Sequence, residues 1–434
     1  MTIKVLIILR TYSVRISGGY RRTYELLKRG KSQGVDYVIV TDRSSFRNSS
    51  KLFKDFRKVC KQYTMYFVDP QKITIGKPDL FLSARYFAKY FRLSFILVRI
   101  AKLENVDLIV GIGETPQTAL ITYLSGRISG KPWTNLLQGD WDIFQPTKGI
   151  GPLNPFNVIT HINDKKQTKK LSLKLKLGIA IGLLTLLRIS QKSLILTVSP
   201  SLQQTLSSLN PRITFHAIIP GIGLDLKKID NSTHDSRHYD IAFFSRLTPE
   251  KGIFDLPIVF ERITKEFPKA KIAVSGFVED QLVFNLFLQK LVQLKLERNV
   301  VILDASEEDS YLNILRYAKI LVFPSQCEAY GLVVLEALGC GTPVVAYDLP
   351  SIRQNYKNVK AVLKCPLNNP LRMAEMVAVL LAKEDLWKQL SVEAKKYVRN
   401  FGWKNVVIAE REAYLAVING FRRNKLLEST KVFN

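Results

Sequence analysis

Apolar runs and helical stretches alternate along the length of this chain. Short apolar runs such as Val5–Leu9, Tyr37–Val40, Asp107–Val110 and Leu194–Val198 are separated by stretches with helical spacing. The second half repeats the theme with Ile241–Phe244, Lys271–Val274, Val300–Leu303, Ile320–Phe323 and Val344–Ala346. A strand that is apolar at nearly every position is buried on both faces, and that is how strands of parallel sheets read. Helices are expected from about Tyr20 and over Leu332–Leu338, Pro370–Ala382, Leu386–Arg399 and Lys404–Phe421. Strands alternating with helices predict an α/β architecture with helices on both faces of each sheet. The chain has 434 residues, and one core rarely grows past about 250–300. Two domains are therefore expected, with a linker in the polar stretch Asn231–His238.

Charge divides the halves. The chain carries 64 Lys and Arg against 37 Asp and Glu, a net +27. Residues 1–220 hold 34 basic and 12 acidic residues, net +22, which leaves +5 for the rest. So one-sided a field implies an anionic partner for the first half: phospholipid, a phosphorylated acceptor or nucleic acid. Lys51, Lys54, Arg57, Lys58 and Lys61 recur at helical spacing, as do Arg85, Lys89, Arg92, Arg99 and Lys102 beside Phe87, Phe91, Phe95, Ile96 and Leu97. A third cluster, Lys165 to Lys176, leads into the apolar run Leu177–Leu187. Any one stripe also reads as a solvated face over a core contact. Three in one half point to an anionic membrane or lipid-phosphate surface.

The apolar run at the N-terminus is cut by Arg10, so it reads as a strand and not a signal peptide. Leu177–Leu187 is well short of the roughly 20 residues that span a bilayer. A soluble or peripheral, cytoplasmic protein is expected. Cys60, Cys327, Cys340 and Cys365 form no C-x-x-C pair and suggest neither a zinc site nor a disulfide framework.

The chemistry concentrates in LVFPSQCEAYGLVVLEALGCGTPVVAYD, residues 321–348. It reads as strand, loop, helix, strand. The loop Pro324–Gly331 leaves the carboxyl end of a strand, where open α/β sheets bind ligands. A helix opening at Gly331-Leu332 directs free N–H groups there, which suits a diphosphate. Glu328 and Glu336 stand eight positions apart, two helical turns, and can meet different parts of one extended ligand: Glu328 a sugar, Glu336 ribose hydroxyls. Capping and surface exposure are the ordinary alternatives for such a pair.

This segment resembles the large family of retaining glycosyltransferases with two facing Rossmann-like domains, carbohydrate family 4. The resemblance is carried by Pro324-Ser325, Glu328-Ala329-Tyr330-Gly331-Leu332, Leu335-Glu336-Ala337 and Gly341-Thr342-Pro343-Val344-Val345-Ala346. Phe244 to Gly252 resembles the family's Gly-Arg-Leu-x-x-x-Lys-Gly turn, with Ser245 in place of the usual Gly. Pro220 to Asp225 resembles its turn near the domain junction, and Ser17-Gly18-Gly19 its N-terminal glycine loop. Phe401-Gly402-Trp403 with Glu412 and Tyr414 resembles its C-terminal helix, which crosses back onto the first domain.

The resemblance implies a GT-B fold with parallel sheets and a deep interdomain cleft. It implies an acceptor-side domain over 1–230, joined by the helix 404–434, and a nucleotide-sugar domain over 238–403. Arg246, Lys251 and Glu328 become the catalytic candidates. Glu336, Gly331, Leu332, Gly18 and Gly19 become the donor-binding ones. Gln138 stands where many members carry a His, and Gln138 and Asp140 are the candidate acceptor contacts. The resemblance also implies retention of anomeric configuration without a metal, and neither metal nor other cofactor is expected. The expected partners are a nucleotide sugar and an anionic membrane surface or lipid-phosphate acceptor, and not nucleic acid.

The rivals are an epimerase or phosphorylase of the same fold, a nucleic-acid-binding protein and an inactive relative. Gly111-Ile112-Gly113 hints at a nicotinamide site, but Pro116 stands where the third glycine belongs. No nucleic-acid module is recognisable.

Overall fold

The computed structural model describes residues 2–8, 18–42, 51–68, 84–113, 116–138, 188–230, 237–303 and 308–431. The described residues of 2–138, 188–223 and 403–431 form one compact unit, and those of 224–402 a second.

In the first unit the elements run β1 (Ile3–Ile8), α1 (Gly18–Arg29), β2 (Val35–Asp42), α2 (Lys51–Cys60) and β3 (Thr64–Val68). Then come α3 (Ala84–Leu103), β4 (Leu108–Ile112), α4 (Pro116–Ser129), β5 (Trp133–Leu137), β6 (Ile195–Thr197), α5 (Pro200–Leu209) and β7 (Phe215–Ala217). All seven strands pair in parallel, in the order β3-β2-β1-β4-β5-β6-β7. The apolar runs explain why: Val5, Leu6, Val38, Ile39, Leu108 and Ile109 are sealed on both faces. Burying each such side chain contributes about 1.5–3 kcal/mol.

The second unit runs α6 (Leu226–Asp230), β8 (Tyr239–Phe244), α7 (Leu256–Glu266), β9 (Ile272–Ser275), α8 (Gln281–Gln293), β10 (Val300–Leu303), α9 (Glu308–Tyr317) and β11 (Ala318–Phe323). It continues with α10 (Leu332–Gly339), β12 (Val344–Tyr347), α11 (Pro350–Asn355), β13 (Val362–Cys365), α12 (Pro370–Ala382) and α13 (Glu384–Val398). Its sheet, also parallel throughout, has the order β10-β9-β8-β11-β12-β13. Helix starts follow local chemistry. Asp280 accepts from the amides of Leu282 and Val283 at the head of α8, and Asn369 accepts from Arg372 ahead of Pro370 in α12.

In each sheet the strand order reverses once: β1 lies between β2 and β4, and β8 between β9 and β11, so right-handed connections leave to opposite faces after β1 and β4, and after β8 and β11. The carboxyl ends of the strands at such a switch point frame the natural ligand crevice of an open α/β sheet.

The last helix, α14 (Trp403–Lys431), belongs to the first unit. Its Trp403, Val406 and Val407 pack with Leu26 of α1. Beneath them lies a buried ion pair. Arg22 Nη2 donates to Glu410 Oε2, Arg22 Nε to the carbonyl of Gly221 at 2.6 Å, and Tyr414 Oη to Glu410 Oε1 at 2.6 Å. Of the C-terminal residues singled out in the sequence, Tyr414 is buried, whereas Glu412 is exposed and the working carboxylate is Glu410. Helical phase explains the difference: Glu410 lies one turn before Tyr414 on its inward face, and Glu412 is rotated away.

Among the basic stripes, α2 sends Phe56 and Val59 inward. Leu97 of α3 is also core, while Phe91 and Phe95 face outward. The Lys165–Lys176 cluster, Leu177–Leu187 and Asp140 lie outside the described residues, as do residues 231–236 of the expected linker. No helix among the described residues is long and apolar enough to cross a membrane.

Candidate active site in the second unit

β8 and β11 flank the switch point of the second sheet, and the loops leaving their carboxyl ends carry the residues marked by the sequence. After β8 come Ser245, Arg246 and a 3₁₀ turn, Pro249–Lys251, closed by Gly252 at φ 77°. A Cβ on Gly252 would stand 2.2 Å from the Pro324 carbonyl oxygen, so glycine is what allows this turn to lie against the β11 loop. The amide of Gln326 donates to the Glu250 carbonyl at 2.9 Å and ties the two loops directly.

Lys251 and Glu328 meet there, Nζ to Oε1 at 2.5 Å, with side chains only 11% and 15% exposed. Lys251 also donates to the Cys327 carbonyl at 2.8 Å and to Ser325 Oγ at 3.3 Å. Three N–H donors thus meet three acceptors. Ser325 Oγ reaches the same Oε1 at 3.0 Å. Oε1 of Glu328 is doubly engaged, and Oε2 accepts no bond among the described residues. The carboxylate is held at one oxygen and presented at the other.

Arg246 stands at the mouth of the same turn. Its Nη1 lies 3.3 Å from both carboxylate oxygens of Glu279, and its Nη2 lies 3.4 Å from Glu250 Oε1. These contacts are long and the side chain is 38% exposed, so the pairings are weak. A guanidinium with five donors can exchange them for a diphosphate.

Gly331 caps α10 in the left-handed region at φ 83°, and its carbonyl accepts from Tyr356 Oη at 2.9 Å. Leu332 opens the helix. Asn355 Nδ2 donates to the Tyr330 carbonyl at 3.3 Å, and the rings of Tyr330, Tyr356, Tyr397 and Phe401 follow one another at 4.9–6.1 Å. Burial pushes the Tyr330 phenol well above its usual range, so it stays neutral. Behind the loop, Tyr347 Oη donates to Asp255 Oδ2 at 2.7 Å. Burial raises the Asp255 carboxyl, and bonds from Tyr347 and Gln326 draw it back.

The structure therefore brings Arg246, Lys251, Glu328, Gly331 and Leu332 onto neighbouring loops. Glu336 is different: it lies inside α10 and is 2% exposed. In the first unit, Gly19 and Gln138 are neighbours, because a Cβ on Gly19 would come within 3.0 Å of Gln138 Oε1. Gly18 is the first residue of α1. Glu250, Glu279, Asp255 and Asn355 were not read from the sequence as part of this site. Glu279 follows β9 and meets Arg246 only through the strand order, a long-range relation with no local signal. His216 lines an open groove of about 430 Å³ with Ile219, Pro220 and Ile408 of the first unit, and His238 stacks on Tyr317 at 4.8 Å.

Residues 226–397 match the family described as glycosyl transferases group 1. The matched stretch contains Arg246, Lys251, Glu328, Gly331 and Leu332. A D-inositol 3-phosphate glycosyltransferase of Streptomyces bingchenggensis is 32% identical over 116 residues, 27% of this chain and 26% of that protein. The chain's matches span between 25% and 44% of the lengths of eight curated relatives. Among solved structures, sucrose-phosphate synthase from Thermosynechococcus elongatus superposes with a TM-score of 0.68 at 14% identity, over 96% of this chain and 100% of that one. Anabaena HepE in complex with UDP-glucose superposes at 0.64 with 15% identity, over 95% and 99%. The fold is thus two Rossmann-like domains of the GT-B type, with sheets of seven and six parallel strands.

The four thiols differ in a way that reports on this site. Burial pushes Cys60, Cys340 and Cys365 up to about 12, whereas Cys327 is half-buried beside Glu328. Only thiolates alkylate readily. Brief iodoacetamide treatment of native protein at mildly alkaline pH is expected to add one carbamidomethyl group, at Cys327, by intact-mass and peptide analysis. Labelling of Cys340 as fast as Cys327 would contradict this packing.

Proposed function

We propose that the protein is a retaining, metal-independent glycosyltransferase. In this reading it moves a sugar from a nucleotide-diphosphate donor to a lipid-linked or glycan acceptor at the cytoplasmic face of a membrane. The observation that carries the reading is the Lys251–Glu328 pair, held by Ser325 and Cys327 at the switch point, with Arg246 beside it and the start of α10 in the same loop system.

Breaking the bond between sugar and diphosphate adds negative charge to the leaving group. Arg246 and the first amides of α10 are fixed positive partners for that charge. Lys251 fixes Glu328, and Glu328 Oε2 is left to accept from a sugar hydroxyl and to stabilise positive charge at the anomeric carbon. The acceptor oxygen attacks on the face the diphosphate leaves, a phosphate oxygen takes its proton, and the configuration is retained. The relatives named glycosyltransferase and the solved complex with UDP-glucose support a nucleotide-sugar donor. The net +22 of residues 1–220 supports an anionic, membrane-borne acceptor.

The test is turnover in EDTA. UDP-, GDP-, ADP- and dTDP-sugars are offered with an anionic lipid extract, and release of nucleoside diphosphate is followed together with the anomeric configuration of the product by NMR. Diphosphate release from one donor without added metal, with a retained linkage, is expected. Strict dependence on a divalent metal or an inverted product overturns the mechanism. Isomerised donor without transfer points instead to an epimerase.

A further inference from the structure

α3 divides cleanly into two faces. Tyr90, Leu93, Ser94, Leu97, Val98, Ile100 and Ala101 are buried, and Ser94 Oγ bonds the Tyr90 carbonyl at 2.8 Å on that side. Ala88, Phe91, Arg92, Phe95, Arg99, Lys102 and Leu103 are exposed. At 100° per residue the exposed set falls within an arc of about 120°. An outward arc on a water-facing helix is expected to be polar. Here Phe91, Phe95 and Leu103 are 44%, 54% and 74% exposed.

The charge on the arc is of one sign. No acidic residue occurs between Ala84 and Leu103. Among the described residues, Arg92, Arg99 and Lys102 have no acidic partner. The nearest carboxylates past the helix end are engaged elsewhere. Glu104 is bonded by Lys4 at 2.8 Å and Tyr66 at 2.6 Å, and Asp107 by the amide of Lys4 at 2.8 Å.

We propose that this outer face of α3 is a docking surface for an anionic lipid bilayer. The helix lies in the plane of the membrane, with Phe91, Phe95 and Leu103 in the acyl boundary and Arg92, Arg99 and Lys102 on lipid phosphates. The exposed set from Ala88 to Leu103 gives a contact line about 24 Å long. Nucleic acid would use the three cations but offers no apolar medium to Leu103, so the apolar part of the arc favours lipid. The proposal deepens, and rests on, the membrane-borne acceptor of the preceding reading by giving it a surface.

Vesicle sedimentation of the full chain tests it, with phosphatidylcholine alone and with added phosphatidylglycerol. The wild-type protein is expected to sediment with the anionic vesicles only, and less so as salt rises. Phe91→Ser with Phe95→Ser is expected to lower the bound-to-free ratio about tenfold or more. Arg92→Gln, Arg99→Gln and Lys102→Gln together are expected to abolish the preference for anionic lipid. Both variants change exposed side chains and should melt as wild type does. Wild-type behaviour of the double serine variant overturns the surface, as does equal partition of the wild type onto neutral vesicles. Nucleotide-sugar turnover with a soluble acceptor separates the two readings. Turnover without α3-dependent docking removes only the surface, and α3-dependent docking without turnover removes only the transferase.

Discussion

Lys251→Ala is expected to lower the rate of sugar transfer by about a thousandfold while the protein still folds. Lys251 gives all three donors to the β11 loop, to Glu328 Oε1, the Cys327 carbonyl and Ser325 Oγ. Without it, the partly buried Glu328 keeps no cation, and breaking such a pair costs more than the ~1 kcal/mol of an exposed pair and less than the ~3–5 kcal/mol of a fully buried one. Two effects therefore coincide, a displaced carboxylate and a loosened loop. A second variant separates them. Lys251→Met with Glu328→Gln removes both charges and leaves no orphan, so it is expected to recover most of the melting temperature and none of the transfer. Steady-state rates and melting curves for the two variants check this. Recovery of activity in the double variant would show that the pair is only structural.

Arg22→Met is expected to destabilise the first unit by about 3–5 kcal/mol, roughly a 10 °C fall in its melting transition. Arg22 is 1% exposed and Glu410 is 0% exposed. The variant leaves the Glu410 carboxylate with only Tyr414 as partner and the Gly221 carbonyl without its donor. Arg22→Met with Glu410→Leu removes both charges and should regain most of the loss, because a buried pair replaced by apolar groups is often neutral. Calorimetry reads this directly, since the two units can melt separately. A first-unit transition unmoved in Arg22→Met would contradict the burial.

The strands were legible because their burial is written in composition. Ile320–Phe323, in β11, and the helix Pro370–Ala382 fall where a buried apolar run and the Asn369-Pro370 start place them, whereas Val300–Leu303 is apolar but lies at the sheet edge with Val301 and Ile302 exposed. β3 (Thr64–Val68), β7 (Phe215–Ala217) and β13 (Val362–Cys365) are not marked by apolar runs: they are short sheet-edge strands and carry polar or half-buried residues. The site was legible where a motif names its residues, as with Arg246, Lys251 and Glu328. It was not legible where partners come from distant strands. Glu279 reaches Arg246 because β9 lies beside β8, and Asp255 meets Tyr347 across 92 positions of sequence. Helical phase likewise decided between Glu410 and Glu412, and between the buried Leu97 and the exposed Phe95, which share one apolar stretch in the sequence.

We propose a metal-free nucleotide-sugar site built on Arg246, Lys251 and Glu328. A thermal-shift screen in EDTA tests it most directly, with UDP-, GDP-, ADP- and dTDP-sugars against wild type, Arg246→Ala and Glu328→Ala. One donor is expected to raise the wild-type melting temperature, and the shift is expected to vanish in Arg246→Ala and shrink in Glu328→Ala. A donor that stabilises all three proteins equally, or no response to any donor, would contradict the site.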